Sequence, residues 1–175
     1  MPSATLDRLS VRAAINNAAH EDLNVFARQM LATVSPADKF IDARHVRAIA
    51  HKLMQVERGE VKRLLIAVPP RHQKSYLGSI CFPTWVLGRN PQARIICASY
   101  SEDLALNEFA LKSQSILKSD RYAQIFPKSR LSKVALDHMQ LSAGGYRMAT
   151  SVGGKGTGFG ADYIIVDDPM KYIDA

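Results

Sequence analysis

The apolar positions along the first third of the chain predict helices. Over residues 1–35 they recur at roughly helical spacing, and we expect the polar pair Asn16-Asn17 to interrupt this helical unit. The unit should end just before Pro36, because the residue preceding a proline resists the α-helical region. A second helix is predicted over residues 43–58, where the apolar side chains share one face and Gly59 provides the stop.

The middle of the chain alternates between predicted strands and helices. Residues 64–68 form an apolar run typical of a buried strand, and residues 76–87 continue as a helix that Pro83 should kink or shorten. Residues 93–99 give a second buried strand, and residues 101–117 give another helix with acidic residues in its first turn. Strands alternating with helices imply a parallel sheet with helical crossovers.

Shorter strands are predicted toward the end of the chain. Residues 131–136 and 138–142 are separated from residues 146–150 by Gly144-Gly145, which is a strong hairpin turn. Residues 163–166 form a last apolar strand. The pattern as a whole predicts an α/β protein.

Composition and charge narrow the class of protein. With 175 residues and 47% hydrophobic content, the chain suits one globular domain with a real core. A formal net charge of +7 and a pI near 9.6 favour a polyanionic partner or substrate. The stretch 112–133 is particularly basic, and a nucleic-acid-facing surface and an ordinary solvated surface explain it equally well.

The cysteines and the hydropathy pattern bear on the compartment. Cys81 and Cys97 lie in apolar surroundings without metal-like spacing, so we interpret them as reduced core residues. No apolar run approaches the roughly 18–20 residues of a membrane span, and the N-terminus lacks the apolar segment of a signal peptide. We therefore expect a soluble, intracellular protein.

The first candidate for chemistry lies in residues 61–75. An apolar strand feeds a tight loop that ends in Lys74-Ser75, and a helical pattern follows at once, which is the layout of a phosphate-binding P-loop. Both glycines of the pattern G-x-x-x-x-G-K-[ST] are missing, because Val68 and Gln73 occupy their positions. The loop must either avoid a positive φ at Gln73 or accept strain of about 1–2 kcal/mol.

His45, on the helix predicted over residues 43–58, is a second candidate. It could reach the base of a bound nucleotide if that helix lies beside the loop. A solvated surface histidine is the interpretation that we favour.

The second half of a nucleotide site is predicted at Asp167-Asp168, directly after the last strand. A Walker B element needs this pattern, in which the first carboxylate holds the Mg²⁺ shell and the second orients and deprotonates the attacking water. Lys74-Ser75 after one strand and an aspartate pair after another make nucleotide hydrolysis the leading prediction. Structural coincidence is the alternative.

Several stretches of the chain together resemble the large terminase subunit of tailed bacteriophages, from about Phe40 to the end of the sequence. The resemblance implies a P-loop ATPase domain, which in that family drives viral DNA into an empty procapsid and is followed by an RNase H-like nuclease domain. The stretches that carry it are PPRHQKS (69–75), SICFPTWVLGRNP (79–91), ICASYSEDLA (96–105), SDRYAQIFP (119–127) and GTGFGADYIIVDDPMK (156–171).

The resemblance implies a fold and a division of the chain. We expect a P-loop NTPase-type parallel sheet flanked by helices, with a helical N-terminal extension over residues 1–38 and a partial ATPase domain over residues 39–175. The sequence stops at Ala175, before the coupling motif and the remaining strands that the family places after the aspartate pair. We therefore expect a sheet that is incomplete at its C-terminal side and no nuclease domain.

In the loop, the resemblance implies roles residue by residue. Lys74 would contact the β- and γ-phosphates, and Ser75 would ligate Mg²⁺. The amides of the loop would cradle phosphate at the helix N-terminus. The residues expected to bind nucleotide are Pro70, Arg71, His72, Gln73, Lys74 and Ser75.

The aspartate pair receives roles in the same way. Asp167 would hold the metal, directly or through water. Asp168 stands where many terminases carry a catalytic glutamate, and its shorter side chain reaches about one methylene less far. Arg71 is a candidate for the arginine that stabilises transition-state charge, and a simple surface charge is an equal alternative.

The implied cofactors are ATP and Mg²⁺. The implied partners are double-stranded DNA, the terminase small subunit and the portal protein, around a homo-oligomeric ring in the cytoplasm of a bacterial host, with no membrane. Two other functions stay open. One is an inactive remnant, such as a truncated prophage gene product, and the other is a helicase-like DNA-dependent ATPase.

Overall fold

The computed structural model describes residues 3–154 and 158–170. Helices occupy the first part of the chain, and the strands follow mostly in the second part. The helical elements are α1 (Ser3–Glu21), α2 (Leu23–Val34), α3 (Arg44–Glu57), the π-helix π1 (Tyr76–Cys81), α4 (Phe82–Arg89), the π-helix π2 (Leu104–Ala110), α5 (Leu111–Lys118) and α6 (Asp120–Ile125), and the strands are β1 (Arg94–Ser99), β2 (Leu131–Val134), β3 (His138–Leu141), β4 (Tyr146–Ser151) and β5 (Tyr163–Asp167).

Most of the predicted elements are confirmed. The helix predicted over 43–58 is α3, the strand predicted over 93–99 is β1, and the last predicted strand is β5. The helix predicted over 101–117 is also present, although its first half is the π-helix π2. None of the helices in the described ranges is long and apolar enough to cross a membrane.

The predicted break at Asn16-Asn17 is wrong, because α1 runs through both residues. The chain breaks instead at Asp22, which is the N-cap of α2. Its carboxylate accepts hydrogen bonds from the backbone N–H groups of Asn24 and Val25, at 2.7 and 3.1 Å. These bonds satisfy amides that have no partner within the helix, so the capping aspartate decides where the helical unit divides.

Helix α1 is attached to the rest of the fold through the single tryptophan of the sequence. Trp85 of α4 is 1% exposed, and its indole N–H donates to the carbonyl oxygen of Ala19 at 3.1 Å. Arg89 lies over the same ring and pairs with Glu21 at the end of α1. The last turn of α1 is therefore fixed, whereas residues 8–18 of the helix are largely exposed.

Pro83 does not shorten the helix predicted over residues 76–87, because helical structure continues to Arg89. It lies in the first turn of α4, directly after π1, where a missing N–H is tolerated. The backbone N–H of Phe82 bonds to the carbonyl oxygen of Leu77, five residues earlier, which is the wider π register. The hydroxyl of Thr84 donates to the carbonyl oxygen of Ile80 at 3.0 Å. The π segment and the hydrogen bond of Thr84 together accommodate the N–H group that the proline lacks.

The strand predicted over residues 64–68 is wrong. The segment is extended, and Leu64, Ile66 and Val68 are half-buried while Leu65 is 92% exposed. No backbone hydrogen bond joins it to a strand within the described ranges. An apolar pattern alone does not make a strand, because each strand needs a neighbour that pairs with its backbone groups.

The described strands form one sheet in the order β2-β3-β4-β1-β5. Strand β1 pairs in parallel with both β4 and β5, whereas β2–β3 and β3–β4 are antiparallel. The predicted parallel arrangement is therefore confirmed for β1, β4 and β5, and the predicted hairpin adds antiparallel strands, which makes the α/β sheet mixed. The reason is the turn at Gly144, whose φ of 97° reverses the chain between β3 and β4.

Helices cover one face of this sheet and position the candidate site at one edge. The covered face carries Ile95, Cys97 and Ser99 of β1, all of them buried. On the opposite face, Ile164 and Val166 of β5 are 69% and 53% exposed. Since β1, β4 and β5 are parallel, their carboxyl ends meet at the same edge, where ligands bind in open α/β sheets.

Candidate functional site

The loop before Lys74 adopts a positive φ at Gln73, which stands at one of the two positions where the pattern has glycine. Arg71 and Gln73 adopt φ values of 64° and 60°, whereas His72 between them does not have a positive φ. Helical structure begins immediately afterwards at Lys74 and leads into π1. Alternation between left-handed and ordinary residues turns successive N–H groups toward one side, as in an anion-binding nest. The sequence alternative in which Gln73 avoids a positive φ is therefore wrong.

A left-handed glutamine is strained, which leads to a prediction about stability. Replacing Gln73 by glycine should raise the free energy of unfolding by about 1 kcal/mol relative to replacing it by alanine, because glycine alone adopts this φ without cost. Both substitutions remove the Gln73 side chain, including its buried and unpartnered Oε1 atom. The difference between the two variants, measured by urea denaturation, thus isolates the backbone contribution.

Gln73→Ala is the matched control, since it keeps a Cβ at the strained position. Equal stability of the two variants would show that the loop bears no strain at residue 73. A gain shared by both would instead be assigned to removal of the buried Oε1 atom.

Lys74 and the two predicted carboxylates meet at one point. The Nζ atom of Lys74 lies 3.0 Å from Oδ1 of Asp167 and 2.5 Å from Oδ1 of Asp168. Asp167 is 6% exposed, whereas the Asp168 side chain is 53% exposed and its backbone has a φ of 47°. Burial alone would lower the pKa of Lys74, but its hydrogen bonds to both aspartates outweigh burial and raise that pKa. The ammonium group therefore stays charged between two acids.

Ser79, which the sequence reasoning missed, holds Asp167 in place. Its Oγ atom donates to Oδ2 of Asp167 at 2.7 Å, and both residues are buried. Oδ1 of Asp167 is the atom that faces Lys74. Ser79 follows Ser75 by four residues, so helical spacing placed both hydroxyls on one side of the same helical segment. That spacing was the available signal.

Arg147 of β4 is the second missed residue. It is fully buried, and its Nη2 atom donates to the carbonyl oxygen of Ser79 at 3.3 Å. An uninterrupted α-helix would pair that carbonyl with the N–H of residue 83, which is a proline. The Nε and Nη1 atoms of Arg147 have no hydrogen-bond partner among the described residues. Burial raises the pKa of the nearby Cys97 thiol, and the guanidinium partly opposes this.

His45, in α3, lies beside the loop. Its predicted contact with a nucleotide base depends on this position. Its ring centroid is 5.1 Å from that of His72, and it is half-buried rather than fully solvated. The Nδ1 atom of His72 is 2.8 Å from the carbonyl oxygen of Pro70. The side-chain amide of Gln73 donates to the carbonyl oxygen of Ile41 at 3.4 Å. The start of α3 and the segment before it thus flank the loop.

The remaining predicted residues lie at the same place but make fewer contacts. Arg71 is exposed, and its side chain makes no hydrogen bond or ion pair with the residues that the structure describes. Ser75 is half-buried beside Lys74, in the first turn of the helical segment. The structure therefore brings Lys74, Asp167 and Asp168 into direct contact, and Arg71 forms no hydrogen bond or ion pair with these three residues.

A cavity of about 760 Å³ opens at these three charged residues. It extends between β5 and the unpaired segment 61–66, and π1 contributes Gly78 and Ser79 to its wall. Lys74, Asp167 and Asp168 line it, whereas the loop residues before Lys74 do not. The charged cluster therefore lies between this cavity and the loop.

The donor set indicates which ions the cluster could hold. Within the ranges 3–154 and 158–170, no group of three or more histidine, cysteine, aspartate or glutamate side chains could hold a metal ion. Two carboxylates and nearby serine hydroxyls are hard oxygen donors. Mg²⁺ prefers such donors and commonly takes only one or two carboxylates, completing its shell with water and substrate phosphates. The residues present fit that ion.

Comparison with known families gives one finding. The model of a family described as terminase large subunit, T4-like virus type, N-terminal, matches residues 65–173, which is more than half of the chain. The match includes the loop, Lys74 and both aspartates. No match was found among curated proteins or among solved structures.

Proposed function

The chain belongs to the terminase large-subunit family of T4-like type, and from this we propose that it binds Mg²⁺-ATP and hydrolyses it in viral DNA packaging. The observation that carries the proposal is the convergence of Lys74, Asp167 and Asp168 at the loop. A lysine at a helix start beside two carboxylates at a strand end supplies both charges that a magnesium–phosphate complex needs.

Phosphate would be held by the loop and by Lys74. The first-turn N–H groups of a helix lack partners within it, and the positive φ values at Arg71 and Gln73 support a nest next to them. Lys74 would exchange its aspartate contacts for the β- and γ-phosphates. Arg71 is an exposed residue of this loop, and it would either stabilise the negative charge of the transition state or act only as a surface charge.

Ser75 and Asp167 would hold Mg²⁺. A bound Mg²⁺ ion would neutralise developing charge on the phosphates. Ser79 keeps Oδ2 of Asp167 occupied, so Oδ1 is the oxygen available to the ion or to its water shell. Asp168 is exposed enough to accept a proton from an attacking water once Lys74 has turned to phosphate.

Packaging would also require partners that bind outside this site. We propose double-stranded DNA as the substrate that is moved, held by backbone contacts that ignore sequence. A ring of identical subunits, the terminase small subunit and the portal protein complete the proposed motor. The host cytoplasm is the proposed compartment.

A calorimetric titration of the protein with nucleotide tests the proposal. We expect ATP to bind with Mg²⁺ present and to bind much more weakly in excess EDTA. Phosphate release should be measured with and without duplex DNA in the same buffer. Binding of ATP without phosphate release would support the inactive remnant. Phosphate release that duplex DNA stimulates, but that the packaging partners do not change, would support a helicase-like ATPase. No binding would contradict the proposal.

Ser79 provides a prediction about the metal. Replacing Ser79 by alanine should weaken Mg²⁺ affinity about tenfold, measured by Mg²⁺ titration at saturating ATP, because residues that orient metal ligands typically contribute at least this much. Without the Ser79 hydroxyl, Asp167 loses its 2.7 Å hydrogen bond and its fixed orientation.

Ser113→Ala is the matched control for this measurement. Ser113 is also fully buried, but its hydroxyl donates to the carbonyl oxygen of Phe109 at 2.8 Å, within a helical segment. Equal Mg²⁺ affinities in the two variants would show that Ser79 does not orient the metal ligand.

A further inference from the structure

The exposed side of α1 and the start of α6 form a groove that the nucleotide site does not use. We call it the arginine groove. It is an open depression of about 420 Å³, and the residues that line it are Arg8, Val11, Arg12, Ile15 and Arg121.

The floor of the arginine groove is apolar although it faces solvent. Val11 and Ile15 are 52% and 37% exposed. They are four residues apart, so they lie on the same side of α1, one turn after the other. Two adjacent exposed aliphatic side chains on one helix face form a place where another apolar side chain can be buried.

The charged residues that line the arginine groove are three arginines, and the hydrogen-bond partners of Arg12 and Arg121 among the described residues are neutral. Arg12 donates to the side-chain amide oxygen of Gln124 at 2.8 Å. Arg121 donates to the amide oxygens of Asn16 and Gln29, at 2.7 Å in both cases. In the part of the chain that the structure describes, no carboxylate forms an ion pair with Arg8, Arg12 or Arg121.

Burial and the neighbouring arginine both affect the pKa of Arg121. Burial and, secondarily, the neighbouring charge of Arg12 lower the pKa of Arg121 from its ordinary value. The hydrogen bonds to Asn16 and Gln29 fix the guanidinium without neutralising it. A carboxylate placed in the groove would therefore relieve repulsion as well as form new ion pairs.

We propose that the arginine groove is a docking surface for an acidic amphipathic helix of a partner protein. Such a helix presents an apolar stripe at positions i, i+3, i+4 and i+7, which would cover Val11 and Ile15, with glutamates on either side that would pair with the arginines. The groove and the helix would thus match in both apolarity and charge.

The apolar floor distinguishes this partner from other anions. A nucleic-acid backbone would pair with the arginines but would leave Val11 and Ile15 uncovered, because phosphates bury no aliphatic surface. A second copy of this groove would bring like charges together across a two-fold axis. A helix that is both acidic and apolar would pair with the arginines of the groove and also cover its two aliphatic residues.

Fluorescence anisotropy with the full chain tests the proposal. The probe is a labelled 18-residue peptide in which leucines follow the i, i+3, i+4, i+7 pattern and glutamates fill most other positions. We expect it to bind at least tenfold more tightly than a scrambled peptide of the same composition. Equal binding of the scrambled peptide would overturn the proposal, because charge alone would then explain it.

Variants test each half of the recognition. Val11→Ser and Arg12→Glu should each weaken peptide binding at least about fivefold, and Val11 is exposed enough that its substitution should leave folding intact. Arg130→Glu is the control, since Arg130 is an exposed arginine elsewhere and carries the same charge change. An effect of Arg12→Glu without any effect of Val11→Ser, together with competition by duplex DNA, would assign the groove to nucleic acid and overturn the proposal.

Discussion

Replacing Lys74 by alanine is expected to weaken Mg²⁺-ATP binding about 100-fold. Hydrogen bonds to charged groups contribute about 1.5–3 kcal/mol each, and every 1.4 kcal/mol changes Kd about tenfold. The substitution also leaves Asp167 and Asp168 without the ammonium that lies 3.0 and 2.5 Å from them. Two adjacent carboxylates without this cation would repel the phosphates, so the loss should exceed that of one contact.

Calorimetric titration of ATP at constant Mg²⁺ measures this effect. Lys112→Ala is the control, because Lys112 is a lysine whose ion pair with Glu108 lies on the surface of another helix. Both variants lose one positive charge, so a general electrostatic effect would appear in both. Unchanged ATP affinity in Lys74→Ala would contradict the assignment of the loop as a phosphate site.

Replacing Arg147 by methionine is expected to raise the free energy of unfolding by about 2 kcal/mol. Each unsatisfied buried donor costs about 1–3 kcal/mol, and Arg147 buries two of them together with its charge. The substitution sacrifices the 3.3 Å hydrogen bond to the carbonyl oxygen of Ser79. We expect the loss of this hydrogen bond to cost less free energy than removal of the buried charge and its unsatisfied donors provides. Methionine fills a similar volume and leaves no charge in the core.

Urea denaturation of both proteins measures the difference. Arg130→Met is the matched control, since Arg130 is exposed and its substitution should change stability by less than about 0.5 kcal/mol. Destabilisation by Arg147→Met would contradict this prediction, because the hydrogen bond to the carbonyl oxygen of Ser79 would then stabilise the fold by more than the buried charge destabilises it.

The local elements were largely predictable, because they depend on periodicity. Helix α3 and strand β1 have clear apolar spacing, and their bounds follow from it. The segment 64–68 shows where this reasoning fails. Its apolar pattern is that of a strand, but pairing depends on which segment lies beside it, and local spacing carries no information about neighbours.

The residues of the charged cluster were also predictable, but the residues that hold this cluster and its neighbouring backbone in place were not. Lys74 and the aspartate pair were found from motif chemistry, and the structure places them in contact. Ser79 begins one of the stretches that resemble the family and lies four residues after Ser75, but nothing in the sequence pairs it with Asp167, and Arg147 lies in none of these stretches. Such roles arise from packing between a helix and a strand that are distant in sequence.

The attachment of α1 through Trp85 has an optical consequence. Because this is the only tryptophan in the sequence, fluorescence excited selectively at the indole comes from one ring, which is 1% exposed and hydrogen-bonded to Ala19. Its emission maximum should shift to longer wavelength when α1 detaches and water reaches the ring. Trp85 is therefore an intrinsic fluorescent probe, and it reports whether the helix that bears the arginine groove is packed on the rest of the fold.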